Sequence, residues 1–359
     1  MITLASIITQ FKDSFLKKYK DFVLPGHTRA LDAMEHCRDT HGPYMMAQCT
    51  EPRCSHLTYI PHSCGHRNCP HCQNHESQRW IQNQLKKRLP ATYWLITFTL
   101  PSQLRDMAWK NQKTIYSLMF ACVQDTLKTF VKNDNRLGGM AGLEAILHTH
   151  SRDLNYHPHI HVIMPGASID KKTRLWRTRA QDYLFNQKAL AKVFRAKLLQ
   201  AIVDEKLLLP KNCPIKWVVH CKNVGSGQKA LIYLGRYLYK GVISEKDILK
   251  CKNGSVTYRY LHARTKKYKT RTVSGEHFLY LLMLHILPKG FRRVRSYGFL
   301  HPCSKTLIRL LQLILRINPF TNLEQKTRPK ITCPVCGKTM KIIKTMIPGP
   351  SPGLTDCRT

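Results

Sequence analysis

The stretch His157-Pro158-His159-Ile160-His161-Val162-Ile163-Met164 decides how the chain is read. Side chains at i and i+2 leave a strand on the same side. An extended backbone here therefore presents His159 and His161 together and sends Ile160 to the opposite face. Just upstream, Gly142 to His150 reads as a second strand, and the polar run from Ser151 to Asn155 joins the two as a hairpin with its tip at Arg152-Asp153-Leu154-Asn155. Two imidazoles leave a divalent ion under-coordinated. A third ligand comes most naturally from the neighbouring strand, where His148 and His150 lie at suitable depth; His148 is taken for the set, with His150 left open. His157 is less suited, because Pro158 fits the first turn of a strand and not its middle.

Working outward, Tyr93 to Leu100 is rich in aromatic and β-branched residues and is closed by Pro101, which reads as a buried strand. A long amphipathic helix follows it. Beyond the hairpin come a helix from about Gln187 to Glu205, a strand at Ile215 to Cys221 and a helix from about Gln228 to Lys240. Ser255 to Val273 alternates aromatic and basic residues about a turn at Arg264 to Lys267, and Ser274 can cap a helix from Glu276 to Leu287. The class is α+β, with an antiparallel sheet and helices. On the N-terminal side, two helices fill the first forty residues, a segment dense in Cys, His, Pro and Gly follows, and a helix from Glu76 to Leu89 is stopped by Pro90. The expected division is a helical and zinc-binding part over residues 1–90, a catalytic part over 91–300, and a C-terminal helix and basic tail over 301–359.

The helix ending Tyr233-Leu234-Gly235-Arg236-Tyr237-Leu238-Tyr239-Lys240 places Tyr233 and Tyr237 four residues apart, on one face. Such pairs are commonly core aromatics, yet Gly235, Arg236 and Lys240 make this stretch polar and basic for a core helix. Tyr239, two residues from Tyr237, points away from the shared face. A phenol with a reference pKa of ~10 needs help to act as a nucleophile at neutral pH. A bound metal ion and nearby cations supply that help.

Lys and Arg number 58 against 21 acids, a formal net charge of +37 spread through the 359 residues. That excess points to a polyanionic partner, nucleic acid before membrane, since no apolar run approaches the roughly 20 residues that span a bilayer. The N-terminal stretch carries Lys12, Asp13, Lys17, Lys18 and Lys20 and does not read as a secretory signal. Of 14 cysteines, six fall between Cys37 and Cys72, the pattern of a metal module in a reducing, cytoplasmic compartment.

Cys49 with Cys54, and Cys69 with Cys72, form two pairs about fifteen residues apart, a spacing at which one loop can close four thiolates round tetrahedral Zn²⁺. Cys37, Cys64, His36, His62, His66 and His71 are further candidates for that site or for a second ion. Cys333 and Cys336 form half a site, to be completed by Cys357 or a second subunit. Arg292, Arg293 and Arg295, with Phe291 and Tyr297 among them, combine cations for phosphates with rings for base stacking. Lys266 and Lys267, with Arg259, Arg264, Lys269 and Arg271, form a second basic set.

Taken in order, these motifs resemble the rolling-circle transposases of the insertion sequence 91 family, members of the HUH endonuclease superfamily. The resemblance spans nearly the full length. It includes Ser63-Cys64-Gly65-His66-Arg67-Asn68-Cys69-Pro70-His71-Cys72, the strand Thr97-Phe98-Thr99-Leu100-Pro101, and Leu147-His148-Thr149 leading to Leu154-Asn155-Tyr156-His157-Pro158-His159-Ile160-His161. It continues through the tyrosine helix to Leu287-Pro288-Lys289-Gly290-Phe291-Arg292-Arg293-Val294-Arg295-Ser296-Tyr297-Gly298. The resemblance implies an HUH-type sheet and a zinc module that recognises element-end DNA. It also implies that His159 and His161 hold Mg²⁺ or Mn²⁺ against a phosphate of single-stranded DNA, and that a tyrosine attacks that phosphate to leave a 5′-phosphotyrosine and a free 3′-hydroxyl. Tyr233 and Tyr237 would share successive cleavage and rejoining steps, and Lys240 would position metal or phosphate. One departure is the four residues, Thr50 to Arg53, inside the first Cys pair, where two are usual. The rival readings are a plasmid replication initiator or relaxase with the same chemistry, and a non-catalytic zinc-dependent DNA-binding protein.

Overall fold

The computed structural model describes residues 2–170, 173, 175–179, 183–239, 241–262, 265–319 and 330–346. Thr3 starts α1 (Leu4–Lys18) by accepting a hydrogen bond from the Ser6 N–H, and Pro25 opens α2 (Pro25–Glu35), where a missing N–H costs no helical bond. The cysteine-rich segment holds two strands absent from the sequence reading, β1 (Tyr44–Cys49) and β2 (Leu57–Pro61), before α3 (Asn74–Lys86). β3 (Tyr93–Thr99) follows as expected. The long helix after it is broken into α4 (Arg105–Lys110) and α5 (Gln112–Lys132) at Asn111, whose backbone leaves the helical region and whose side-chain amide donates to the Met107 carbonyl.

The hairpin is β4 (Met140–His150) and β5 (Tyr156–Pro165), its tip closed by the Ser151 N–H donating to the Asn155 carbonyl. Next come β6 (Ala167–Ile169), β7 (Trp176–Thr178) and α6 (Gln187–Asp204), capped by Asn186. β8 (Val219–Asn223) begins four residues later than expected: Ile215 is exposed and the Trp217 indole N–H donates back to the Pro214 carbonyl in a turn. The rest comprises α7 (Gln228–Tyr239), β9 (Ile248–Lys252), β10 (Ser255–Leu261), β11 (Tyr268–Ser274), α8 (Gly275–Met283), β12 (Val294–Gly298), α9 (Lys305–Ile314) and β13 (Met340–Thr345). Ser274 caps α8 as expected, accepting from the His277 N–H.

An antiparallel sheet in the order β7-β6-β4-β5-β3-β8, with β12 on β4, forms the centre of an α+β fold. Strand alternation sorts its residues. Trp94, Ile96, Phe98, Leu147, Ile160 and Val162 share one core with Tyr116 and Phe120 of α5 and Phe194 and Leu198 of α6. Each such large apolar side chain contributes about 1.5–3 kcal/mol when fully buried. On the other face, Tyr93, Ile146 and Ile163 pack against Leu231, Leu234 and Leu238 of α7. Gly235 lets α3 press onto α7: a Cβ there would lie 2.3 Å from Ile81 Cγ1, and Ser77 donates to the Gly235 carbonyl.

The helices of the first ninety residues have no core to themselves. Ile7, Ile8, Phe15 and Leu31 are buried together with Tyr258, Phe278 and Leu282 of the β10 and α8 region. Two small sheets complete the described residues, one in the order β11-β10-β9 and one in the order β13-β1-β2, so a strand near residue 340 lies beside one near residue 45. Among the described residues, no helix is long and apolar enough to cross a membrane.

Candidate active site and metal centres

β4 and β5 bring His148 directly opposite His159, and His161 shares that face one step along. The imidazole centroids lie 5.3 Å (148–159), 4.6 Å (148–161) and 4.8 Å (159–161) apart, and one ligand atom from each falls within 4.8 Å of the others. The tautomers are set locally. His159 Nδ1 lies 2.6 Å from the His157 carbonyl, which can only accept, so the proton sits there and Nε2 keeps a free lone pair. His161 Nδ1 is held 2.8 Å from Thr97 Oγ1 on β3. His148 Nε2 is buried with no hydrogen-bond partner.

Burial, and then the other imidazoles, lowers the His148 pKa well below the ordinary value and takes His159 to about 3; burial alone takes His161 to about 4. All three are neutral at physiological pH, with lone pairs available to a cation. An orphaned buried nitrogen beside two others is a donor set that a divalent ion satisfies.

The other histidines considered stand apart from this trio. A bulge between His148 and His150 turns His150 away, and its Nε2 lies 2.7 Å from the Tyr237 hydroxyl. Burial, and then His285 and Arg293, lower the His150 pKa well below the ordinary value, so the imidazole is neutral; in the tautomer with its proton on Nδ1, Nε2 accepts from the phenol. His157 Nδ1 accepts from Arg105 at 2.6 Å.

The Tyr237 ring stacks 4.2 Å from His148 and 4.9 Å from His150, so the phenol sits against the imidazole cluster. Tyr233, half-exposed, lies one turn earlier with its ring 5.9 Å from that of Tyr237. Both line a cleft with His150, Arg152, Tyr258 and Tyr260. Burial raises the Tyr237 pKa, as does Tyr233, whereas Arg293 and Arg152 draw it back. Lys240 lies outside the described residues.

The basic sets differ from expectation in part. Arg292 is exposed. Arg293 is not a surface cation: its guanidinium donates to the Leu238 carbonyl at 3.1 Å, its Nε is enclosed without a partner, and burial lowers its pKa to about 10. Arg295 lies over the Phe120 ring at 4.4 Å, and Phe291 is buried in the main core instead of offering a face to a base. The cause is β12: its pairing with β4, continued by the Leu147 N–H donating to the Arg293 carbonyl, holds Arg293 and Arg295 against the sheet. Lys266 and Lys267 are exposed on the turn between β10 and β11.

Among the described residues, eight cysteines fall into two groups of four, each with its Sγ atoms within 4.8 Å of one another: Cys37, Cys64, Cys69 and Cys72, and Cys49, Cys54, Cys333 and Cys336. The expected set of Cys49, Cys54, Cys69 and Cys72 is thus split between them. Ligand spacing picks out pairs, but strand pairing decides which pairs meet: β1, which ends at Cys49, and the turn after it, which holds Cys54, lie beside β13. In the first group Sγ–Sγ distances of 3.5 to 3.7 Å are close to the roughly 3.8 Å edge of a tetrahedron with Zn–S bonds of about 2.3 Å. These four thiols fit Zn²⁺.

The chain is similar in sequence to known transposases. Residues 7–100 match the family model described as "Transposase zinc-binding domain", a span that contains the whole first cysteine group, and residues 142–306 match the one described as "Putative transposase". A protein of Sinorhizobium fredii named "Putative transposase y4qJ" is 30% identical over 295 residues, covering 76% of this chain and 74% of that one. The transposase for insertion sequence element IS801 of Pseudomonas savastanoi pv. phaseolicola is 29% identical over 292 residues, covering 76% and 70%. A solved structure of TrwC complexed with a 27-mer DNA aligns over 63% of this chain and 74% of that one, at 11% identity and a TM-score of 0.27. By its zinc-binding and transposase regions, and by relatives matched over three quarters of its length, the chain belongs to the insertion sequence 91 family of HUH transposases.

Proposed function

We propose that this transposase nicks and rejoins single-stranded DNA at the ends of its element through a 5′-phosphotyrosine intermediate, in a rolling-circle type of transposition. The observation that carries the reading is the Tyr237 ring stacked 4.2 Å from His148, which sets a phenol beside three neutral imidazoles. His148, His159 and His161 would hold Mg²⁺ or Mn²⁺, which when bound supplies positive charge to the phosphate oxygens. Tyr237 attacks phosphorus: its oxygen forms the new O–P bond, the bond from phosphorus to the 3′-oxygen breaks, and the strand leaves with a free 3′-hydroxyl. His150 Nε2, 2.7 Å from the phenol oxygen, is placed to accept the proton. Tyr233, on the same helix face and open to solvent, is the second nucleophile, able to take a new strand while Tyr237 holds the first. Lys240 is assigned to phosphate or metal positioning.

The test is a denaturing gel after incubation with labelled single-stranded oligonucleotides from both flanks of the gene, with Mg²⁺ or Mn²⁺ and with EDTA. A covalent adduct that requires metal and is lost in the Tyr233→Phe, Tyr237→Phe double variant is expected. Salt-sensitive DNA binding with no adduct on any flank would instead favour a protein that binds DNA without cutting it.

A further inference from the structure

The second cysteine group joins parts of the chain 287 residues apart and falls half outside both matched regions. We propose that Cys49, Cys54, Cys333 and Cys336 form a second tetrathiolate Zn²⁺ site, which locks the C-terminal strand β13 onto the N-terminal strand β1 as one composite zinc module.

Each half is a built knuckle. In the C-terminal half, the Gly337 N–H donates to the Cys333 carbonyl at 2.9 Å and the Cys333 N–H to the Lys338 carbonyl at 2.8 Å, with Gly337 at φ +70° allowing the tight turn. In the N-terminal half the four residues between the cysteines are taken up by a turn: the Cys54 N–H donates to the Glu51 carbonyl at 3.0 Å, and the Cys49 N–H to the His56 carbonyl at 2.9 Å. The Glu51 N–H points at Cys49 Sγ, 3.4 Å away, the kind of contact that stabilises a thiolate. Thr50 ties the halves together, its N–H and hydroxyl both meeting the Thr339 carbonyl.

The sulfur geometry suits a metal and not a disulfide. Cys49 and Cys336 lie 3.4 Å apart and Cys54 and Cys333 3.7 Å, far beyond the S–S bond length of about 2.05 Å and near the tetrahedral edge of a zinc thiolate site. The apolar core of the module is small. Among the described residues its buried set is Ala47, Cys49, Cys333 and Met340, with Ile60 and Ile331 partly buried against them, little apolar surface to offset the ordering of three strands. Zn²⁺ supplies that deficit, displacing the thiol protons to solvent as four Zn–S bonds form.

The test is zinc content of the purified full chain carrying His159→Ala and His161→Ala, so that the imidazole cluster adds no zinc to the count. Two Zn²⁺ per chain are expected. Adding Cys333→Ser and Cys336→Ser should leave one, whereas adding Cys303→Ser, an exposed cysteine outside both groups, should leave two. One zinc per chain before the cysteine changes, or two after removal of Cys333 and Cys336, would overturn the proposal. A second measurement is independent of variant folding: a protease site placed between residues 320 and 329 is cut, and the C-terminal piece should stay with the body in zinc and separate in chelator. Separation with zinc present would also overturn it.

Discussion

At the residue scale, the chemistry of the site follows from what each buried imidazole is denied. On the proposed mechanism His150 takes the Tyr237 proton, so His150→Gln should slow adduct formation by about 10²-fold or more while leaving it dependent on Tyr237. Quench-flow of the labelled strand measures it, and an unchanged rate would remove His150 from the proton path. Burial also couples these groups to stability. His27 and His161 are lowered to about 4 and His159 and His285 to about 3, so between those values and the ordinary 6.5 the unfolded chain binds protons that the folded chain does not. Stability therefore falls as pH drops through that window, by on the order of 1 kcal/mol per pH unit for each histidine. Urea midpoints of the EDTA-treated protein at pH 7 and pH 5 should differ accordingly, and equal midpoints would contradict the burial argument. Glu144 works in the opposite sense. Burial raises its pKa to about 7, with Ser296 and Lys87 opposing, so its carboxylate costs stability as pH rises through the interval from 4.5 to 7. Glu144→Gln, which keeps a partner for Gln84, should stabilise the fold at pH 8 by up to about 3 kcal/mol, measured by denaturant melts.

At the scale of elements, the packing of α3 on α7 sets where the tyrosines stand. Gly235→Ala gains helix propensity of about 1 kcal/mol but drives a methyl into Ile81 and Trp80, and overpacking of that kind costs about 1–3 kcal/mol. A lowered melting temperature with slower cleavage is expected; a raised one would mean that the helices separate freely. The β10–β11 turn leaves Lys266 and Lys267 exposed. Removing Lys266 and Lys267 together should shallow the salt dependence of single-strand binding by roughly 0.7 for each phosphate that is no longer neutralised, read from affinities at several salt concentrations. Strands β3, β4 and β5 are legible in the sequence because aromatic and β-branched residues run between clear turn signals. β12 is not: Arg295 and Tyr297 read only as part of a basic and aromatic set, and pairing with β4 makes Val294 to Gly298 a strand. The His148–His159–His161 grouping can be reached from strand period and hairpin register. The different placement of His150 depends on a bulge that no local pattern announces.

For the whole molecule, long-range pairing decides what composition leaves open. The cysteine pairs stand out by spacing alone, yet their partnership depends on β1 meeting β13, two mixed-composition strands with no signal in either one. The charge of +37 announces a polyanion without saying which surface meets it, and burial of Arg293 shows that some of that charge is structural. The β1–β13 pairing also imposes an order in time. Synthesis at about 5–20 residues per second separates Cys49 from Cys336 by roughly 15–60 s, during which the first knuckle waits on the ribosome without its counterpart. Completion of this small sheet is therefore a late event in the birth of the protein, and a chain cut short before β13 keeps the histidines and tyrosines but never acquires a finished N-terminal module.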